Sequence, residues 1–153
     1  PASTQVPCNL PGGDVSAPSA RGRLSRGEYL HGKKEPQVRW VVHRVMKLIG
    51  VGVDDRESGL RMPVHVVDVG GGRGDLAVGL ALAMRSHGVS GRVTVVDTNK
   101  ASLAGGVEYA RVKGVDDLIS FTEADFHAYQ PSTVADEAVV VVALHACGHL
   151  TDL

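Results

Sequence analysis

The stretch that decides the fold is Val64-His65-Val66-Val67-Asp68-Val69-Gly70-Gly71-Gly72-Arg73-Gly74-Asp75. Its first six residues are dominated by β-branched valines, too densely apolar for a strand with one wet face, and the run breaks on glycines. Leu76 to His87 then carries helical periodicity with Gly88 behind it, so the segment reads as strand, glycine-rich turn and helix. A main chain that turns sharply there and lets a ligand approach to van der Waals distance needs residues without Cβ. Glycines at 70, 72 and 74 meet that need.

On the C-terminal side, Arg92 to Asp97 is a second buried strand, and Thr98 can cap a helix that runs towards Gly114. Leu118 to Ala124 is a third strand, and Ala138 to Leu144 is a fourth, the most apolar of all. On the N-terminal side, Val38, Val41, Val42, Val45 and Ile49 recur at helical spacing, which predicts a helix of about fourteen residues. Pro36 suits its first turn and Gly50 its stop, and a polar loop, Asp54 to Gly59, follows. Residues 1 to 30 are rich in Pro, Gly, Ser and Ala without periodicity and read as a flexible arm. Residues 31 to 153 read as one domain. Alternating β and α units with continuously apolar strands predict a mostly parallel sheet covered on both faces, the Rossmann-like doubly wound α/β class.

Composition narrows the functional classes. The chain has 153 residues, 43% of them hydrophobic and 22% charged, which suits one globular domain with an arm. No apolar run approaches the ~20 residues that span a bilayer, so no membrane partner is expected. Cys8 and Cys147 give no disulfide framework and fit a reducing compartment, cytoplasmic or nuclear. The net charge of -1 hides an asymmetry. Residues 1 to 47 carry eight Lys and Arg against three acids, while the remainder carries eight against fourteen. A basic N-terminal region beside an acidic body is compatible with RNA, and equally with a solvated basic surface that has no partner.

The glycine spacing, Asp68-x-Gly70-x-Gly72-x-Gly74, departs from the dinucleotide fingerprint G-x-G-x-x-G, which fails here at Asp75 or at Arg73. A nicotinamide-dependent oxidoreductase is therefore disfavoured. Asp97, at the end of the second strand, is placed to accept hydrogen bonds from vicinal ribose hydroxyls, as it would for either a nicotinamide or an adenosyl cofactor. Its other reading is a helix-capping acid. Glu123-Ala124-Asp125-Phe126 closes the third strand, with two acids that a loop could simply solvate.

The segment Asp68 to Asp75 resembles motif I of the class I methyltransferases. The resemblance implies a seven-strand fold, of which four strands are visible here, and S-adenosylmethionine as cofactor. It implies that Asp68 helps fix the methionyl amino group and that Gly70, Gly71, Gly72 and Gly74 pass under the methionine and ribose. Asp97 and Thr98 would lie by the ribose. Asp125 would bond the adenine amino group, with Glu123 as its competitor and Phe126 as packing partner. Leu144-His145-Ala146-Cys147-Gly148, followed by Thr151-Asp152, is similar to motif IV of a subgroup that includes eukaryotic tRNA 2′-O-methyltransferases and relatives of the glutathione S-transferase C-terminal-domain-containing protein. Gly32-Lys33-Lys34-Glu35 looks like the segment that precedes the core in such proteins. The resemblance covers roughly residues 31 to 152 and adds Leu144 to the cofactor site.

It implies methyl transfer, with RNA, tRNA in particular, as acceptor. His145 is then the nearest candidate for a general base, or a ring that packs beside the cofactor. His145, Cys147 and His149 also have the alternation of a metal site, but no fourth ligand is evident and no metal is expected. With four of seven strands visible, the expectation is a part of a larger polypeptide, with the fourth strand at a sheet edge. A Rossmann-like interaction scaffold without catalysis is the competing reading.

Overall fold

The computed structural model describes residues 32, 34–50 and 62–144. The order is α1 (Glu35–Leu48), β1 (Val64–Val69), α2 (Asp75–Ser86), β2 (Gly91–Asp97), α3 (Lys100–Val112), β3 (Ile119–Glu123) and β4 (Ala138–Val142). The four strands form one sheet in the order β3-β2-β1-β4, and every pair is parallel. β1 is central and buried along its whole length, as its unbroken run of valines requires.

The strand order reverses at β1. From there the chain goes outward through β2 to β3, then returns to lay β4 on the other side. Such a switch point opens a crevice beyond the carboxyl ends of the two diverging strands, because their connections leave in opposite directions. Asp68, opposite Val95 of β2 and Val142 of β4, stands at that crevice.

Alternation along the strands sorts the core into two. Val64, Val66, Val93 and Val95 face one cluster together with α1, α2 and α3. Helix α2 lies between the sheet and α1, so it buries nearly all round: Leu76, Ala77, Val78, Leu80, Ala81 and Met84 are all inside. Helix α1 is one layer further out and buries only a stripe centred on Val45 and Met46, with Pro36 in its first turn as the sequence indicates. Gly79 lets the two helices approach closely, since a Cβ there would lie 3.1 Å from Val42 and 3.3 Å from Val38.

The opposite face holds Val67, Val69 and Val96, against which Ala124, Phe126 and Tyr129 pack. Among the described residues all three helices share one face, so the expected cover of helices on both faces is found on one. β4 is an edge strand, and Val139 and Val141 remain 37% and 52% exposed. The most apolar strand is thus the least buried, because burial depends on the neighbours a strand acquires and not on its own composition.

Predicted boundaries shift by one or two residues, and two of the shifts fall at the edge that holds the site. The helix cap at α3 is Asn99, whose side chain accepts from the Ser102 N–H at 3.0 Å, and not Thr98 one residue earlier. β4 ends at Val142 and leaves Leu144 beyond the ladder. His65, the single imidazole inside the valine run, is fully buried and 2.8 Å from the Thr94 hydroxyl, which is itself 2.9 Å from that of Ser120. Burial and the neighbouring Arg92 hold its pKa below the usual value, so it sits in the sheet as a neutral ring.

Candidate functional site

The bend after β1 is built from three left-handed glycines, Gly70 (φ +66°), Gly72 (φ +54°) and Gly74 (φ +77°). The Gly70 N–H donates to the Val96 carbonyl at 2.8 Å and ties the bend to β2. Gly71 lies in ordinary backbone space but is more crowded than Gly72 or Gly74. A Cβ there would stand 2.6 Å from Asp68 Oδ2 and 2.9 Å from Val95 Cγ1. Gly74, predicted as a cofactor contact, also has a packing reason to be glycine. It is buried, its absent Cβ would meet Phe121 at 3.0 Å and Val95 at 3.3 Å, and it begins α2. Phe121, which the sequence does not single out, is the platform under the bend, and Gly106 of α3 gives it room: a Cβ there would come within 2.4 Å of the ring.

Asp68 is 1% exposed, and neither carboxylate oxygen has a hydrogen-bond partner among the described residues. Burial pushes its pKa up to about 7. The Ala77 backbone N–H opposes the rise without forming a full hydrogen bond, the carboxylates of Asp75 and Asp97 add to it, and Lys34 works against it. A buried acceptor pair with nothing to accept from is costly, so a native fold that keeps one calls for an explanation. Asp68 lines a cavity of about 30 Å³ with Lys34, Gly70, Gly71, Asp75, Leu76 and Leu144. At the mouth, Lys34 and Asp75 form an ion pair, each side chain about a quarter exposed.

Asp97 faces the bend. Its Oδ2 accepts from the Gly72 N–H at 2.8 Å and its Oδ1 from the Asn99 N–H at 2.7 Å. The carboxylate therefore joins the glycine loop to the start of α3, and each oxygen keeps a second lone pair for a ligand. Ala124 hydrogen-bonds the Asp97 carbonyl at 3.1 Å, which brings the end of β3 to the same edge. There Asp125 is exposed and accepts from the His127 N–H at 2.9 Å, while Glu123 leans towards Lys100 at 3.9 Å. Phe126 packs on Val67, Val69 and Val96, and Thr98 is exposed.

Of the residues singled out in the sequence, Asp68, Gly70, Gly71 and Leu144 line one cavity, and Asp97 meets Gly72 beside it. Asp125, Phe126 and Thr98 share their edge of the sheet without joining the cavity lining. His145, Cys147 and His149 lie outside the described residues. Lys34 and Asp75 were legible as members of motifs but not as partners, since 41 residues separate them.

An open parallel sheet whose first strand runs into such a bend, with an acid tied to it from the next strand, is the architecture of a Rossmann-like S-adenosylmethionine-dependent methyltransferase. A family model described as a methyltransferase domain matches residues 33–153, and the chain belongs to that family. Among curated proteins, the ubiquinone/menaquinone biosynthesis C-methyltransferase UbiE of Rhizobium meliloti is 32% identical over 127 residues, covering 70% of this chain and 48% of that protein. UbiE of Sinorhizobium fredii is 34% identical over 110 residues, covering 61% and 42%. The chain thus spans about half the length of these curated relatives.

Among solved structures, a Methanococcus maripaludis protein described as an S-adenosyl-L-methionine-dependent methyltransferase superposes with a TM-score of 0.51 at 12% identity, covering 82% of this chain and 53% of that one. The fold is shared. An RNA methyltransferase of Salinibacter ruber, solved with S-adenosyl-L-homocysteine, gives 0.46 at 23% identity and covers 69% and 57%. No helix among the described residues is long and apolar enough to cross a membrane.

Proposed function

We propose that this chain binds S-adenosylmethionine in the crevice over β1 and serves methyl transfer from it. The observation that carries the reading is the buried Asp68 carboxylate, without a partner among the described residues, beneath a bend with almost no side chains. A methionyl ammonium is a charged donor of the size and sign that this carboxylate lacks. The glycine cradle leaves the main chain open to the rest of the ligand, and a side chain at Gly71 would close it. The residues present fit the cofactor.

The bound cofactor supplies an activated sulfonium leaving group, so the protein need only align the acceptor and exclude water. Asp68 holds the amino group, Asp97 takes the ribose hydroxyls, and Gly70 to Gly72 let the ligand lie on the backbone. Asp125 bonds the adenine, Thr98, Phe126 and Leu144 pack around the nucleoside, and His145 serves as base for a hydroxyl acceptor. Asp97→Ala is expected to weaken S-adenosylhomocysteine binding by about 1.5–3 kcal/mol, the scale of a hydrogen bond to a charged group. Calorimetry reads this directly, and an unchanged affinity would take Asp97 out of the site. S-adenosylhomocysteine should also bind where NAD does not.

RNA is the acceptor we propose, supported by the basic composition of residues 1 to 47 and by the resemblance around His145. The curated relatives supply a second reading, since their names describe C-methylation in ubiquinone and menaquinone biosynthesis. Their greater length and the open edge of β4 support the view that this chain works within a longer polypeptide. Transfer of labelled methyl groups into RNA, with a demethylated quinol alongside, separates the two acceptors. Label in the quinol and none in RNA would overturn the RNA proposal.

A further inference from the structure

We propose that Lys34 is the specificity residue for the carboxylate of the ligand's amino-acid end, held ready for it by Asp75. The inference rests on the cofactor reading above and adds to it a second recognition point, on a different element. The cavity has an order in depth. Asp68 forms a floor that is 1% exposed, while Lys34 and Asp75 stand at a mouth about a quarter exposed.

Among the described residues that line the cavity, Lys34 carries the single cation. An α-amino acid is a zwitterion whose ammonium and carboxylate sit on one carbon, so a site that grips one charge has the other within a few ångströms. With the ammonium on the buried acid, the carboxylate is left at the mouth. An uncompensated carboxylate there would face Asp68 and Asp75, and like charges that close repel. The Lys34 ammonium has three donors. One engages Asp75 in the ligand-free protein, and the others remain for a second oxyanion without breaking that pair. Asp75, in the first turn of α2, thus acts as a positioning residue that fixes the lysine over the cavity instead of letting it swing into water.

The arrangement predicts discrimination between ligands that share the adenosyl group and differ only in the carboxylate. Calorimetry on the 153-residue chain with S-adenosylhomocysteine and with decarboxylated S-adenosylhomocysteine, which keeps the ammonium and the thioether, isolates that one group. Lys34→Gln should weaken S-adenosylhomocysteine about 10- to 100-fold and leave the decarboxylated ligand within about twofold. Lys34→Arg should restore part of the loss, and Asp68→Asn should weaken both ligands. An equal loss for both ligands in Lys34→Gln, no loss, or tighter binding would overturn the assignment while the cofactor reading stands. Failure of the unmutated chain to bind either ligand would overturn both.

Discussion

Replacing Asp68 with Asn is expected to stabilise the ligand-free protein at pH 8 and to cripple its binding of S-adenosylhomocysteine. A carboxyl held at about 7 instead of its ordinary 3.8 costs the fold about 4 kcal/mol once it is ionised. The sign follows from proton counting. Between those two values the native state binds more protons than the unfolded chain, so the stability present below pH 3.8 drains away as the pH climbs through 7. Asn has nearly the same shape and no charge to desolvate, though its buried amide lacks partners at a cost of about 1–3 kcal/mol. The net gain is about 1–3 kcal/mol at pH 8, or several degrees in melting temperature for a chain of this size. In the same variant the ligand ammonium loses its counter-charge, and affinity should fall by about two orders of magnitude. A variant that melts no higher than the native protein across pH 4 to 8 would show that Asp68 is not strained.

Gly71→Ala should damage the bend through crowding alone, since Gly71 has no left-handed backbone to strain. The new Cβ would meet Asp68 Oδ2 at 2.6 Å, Asp68 Cγ at 2.7 Å and Val95 Cγ1 at 2.9 Å. Asp68 and Val95 are buried on the central strands, so the methyl group fits only by pushing the Asp68 carboxylate into the cavity it lines or by moving the strands apart. Overpacking of this kind costs about 1–3 kcal/mol, and because Asp68 is the group displaced, ligand affinity should drop by more than about tenfold as well. Gly105→Ala is the matched control. Nothing lies within 4 Å of its Cβ, it sits inside α3, and it should gain about 0.5–1 kcal/mol from helix propensity. Denaturant melts of the two variants, run together, should move in opposite directions; a Gly71→Ala protein as stable as the control would deny the crowding.

Much of this was legible in the chain itself, for identifiable reasons. β1, the bend and α2 follow from a valine run that ends on glycines, because backbone conformation and burial are both written locally there. Asp97 was legible because strand ends in a parallel sheet share one edge. The rest is decided by distance in space. Lys34 reaches Asp75 across 41 residues, and Phe121 settles under Gly74 from two strands away, so neither pairing leaves a local pattern. Thr98 and Asn99 are adjacent residues that can both cap a helix, and the cap falls on Asn99, the stronger capping residue of the two. Ala138 to Leu144 reads as the most apolar strand and, with four strands visible, as an edge strand; β4 does lie at the edge of the described sheet and is the least buried, since apolarity records what a strand tolerates and its neighbours decide what it receives. His65 shows the same in reverse: a polar residue in an apolar run finds its partner, Thr94, on the adjoining strand.

The most direct test is the proton balance of binding. An ammonium ligand that meets Asp68 requires the carboxylate form, and a group with a pKa of about 7 is mostly protonated at pH 6.5. Calorimetric titration with S-adenosylhomocysteine at that pH, in buffers of contrasting ionisation enthalpy, should show release of a large fraction of one proton. The release should fade by pH 8.5 and be absent in Asp68→Asn. Binding with no release at pH 6.5, or the same release from the Asn variant, would contradict the account.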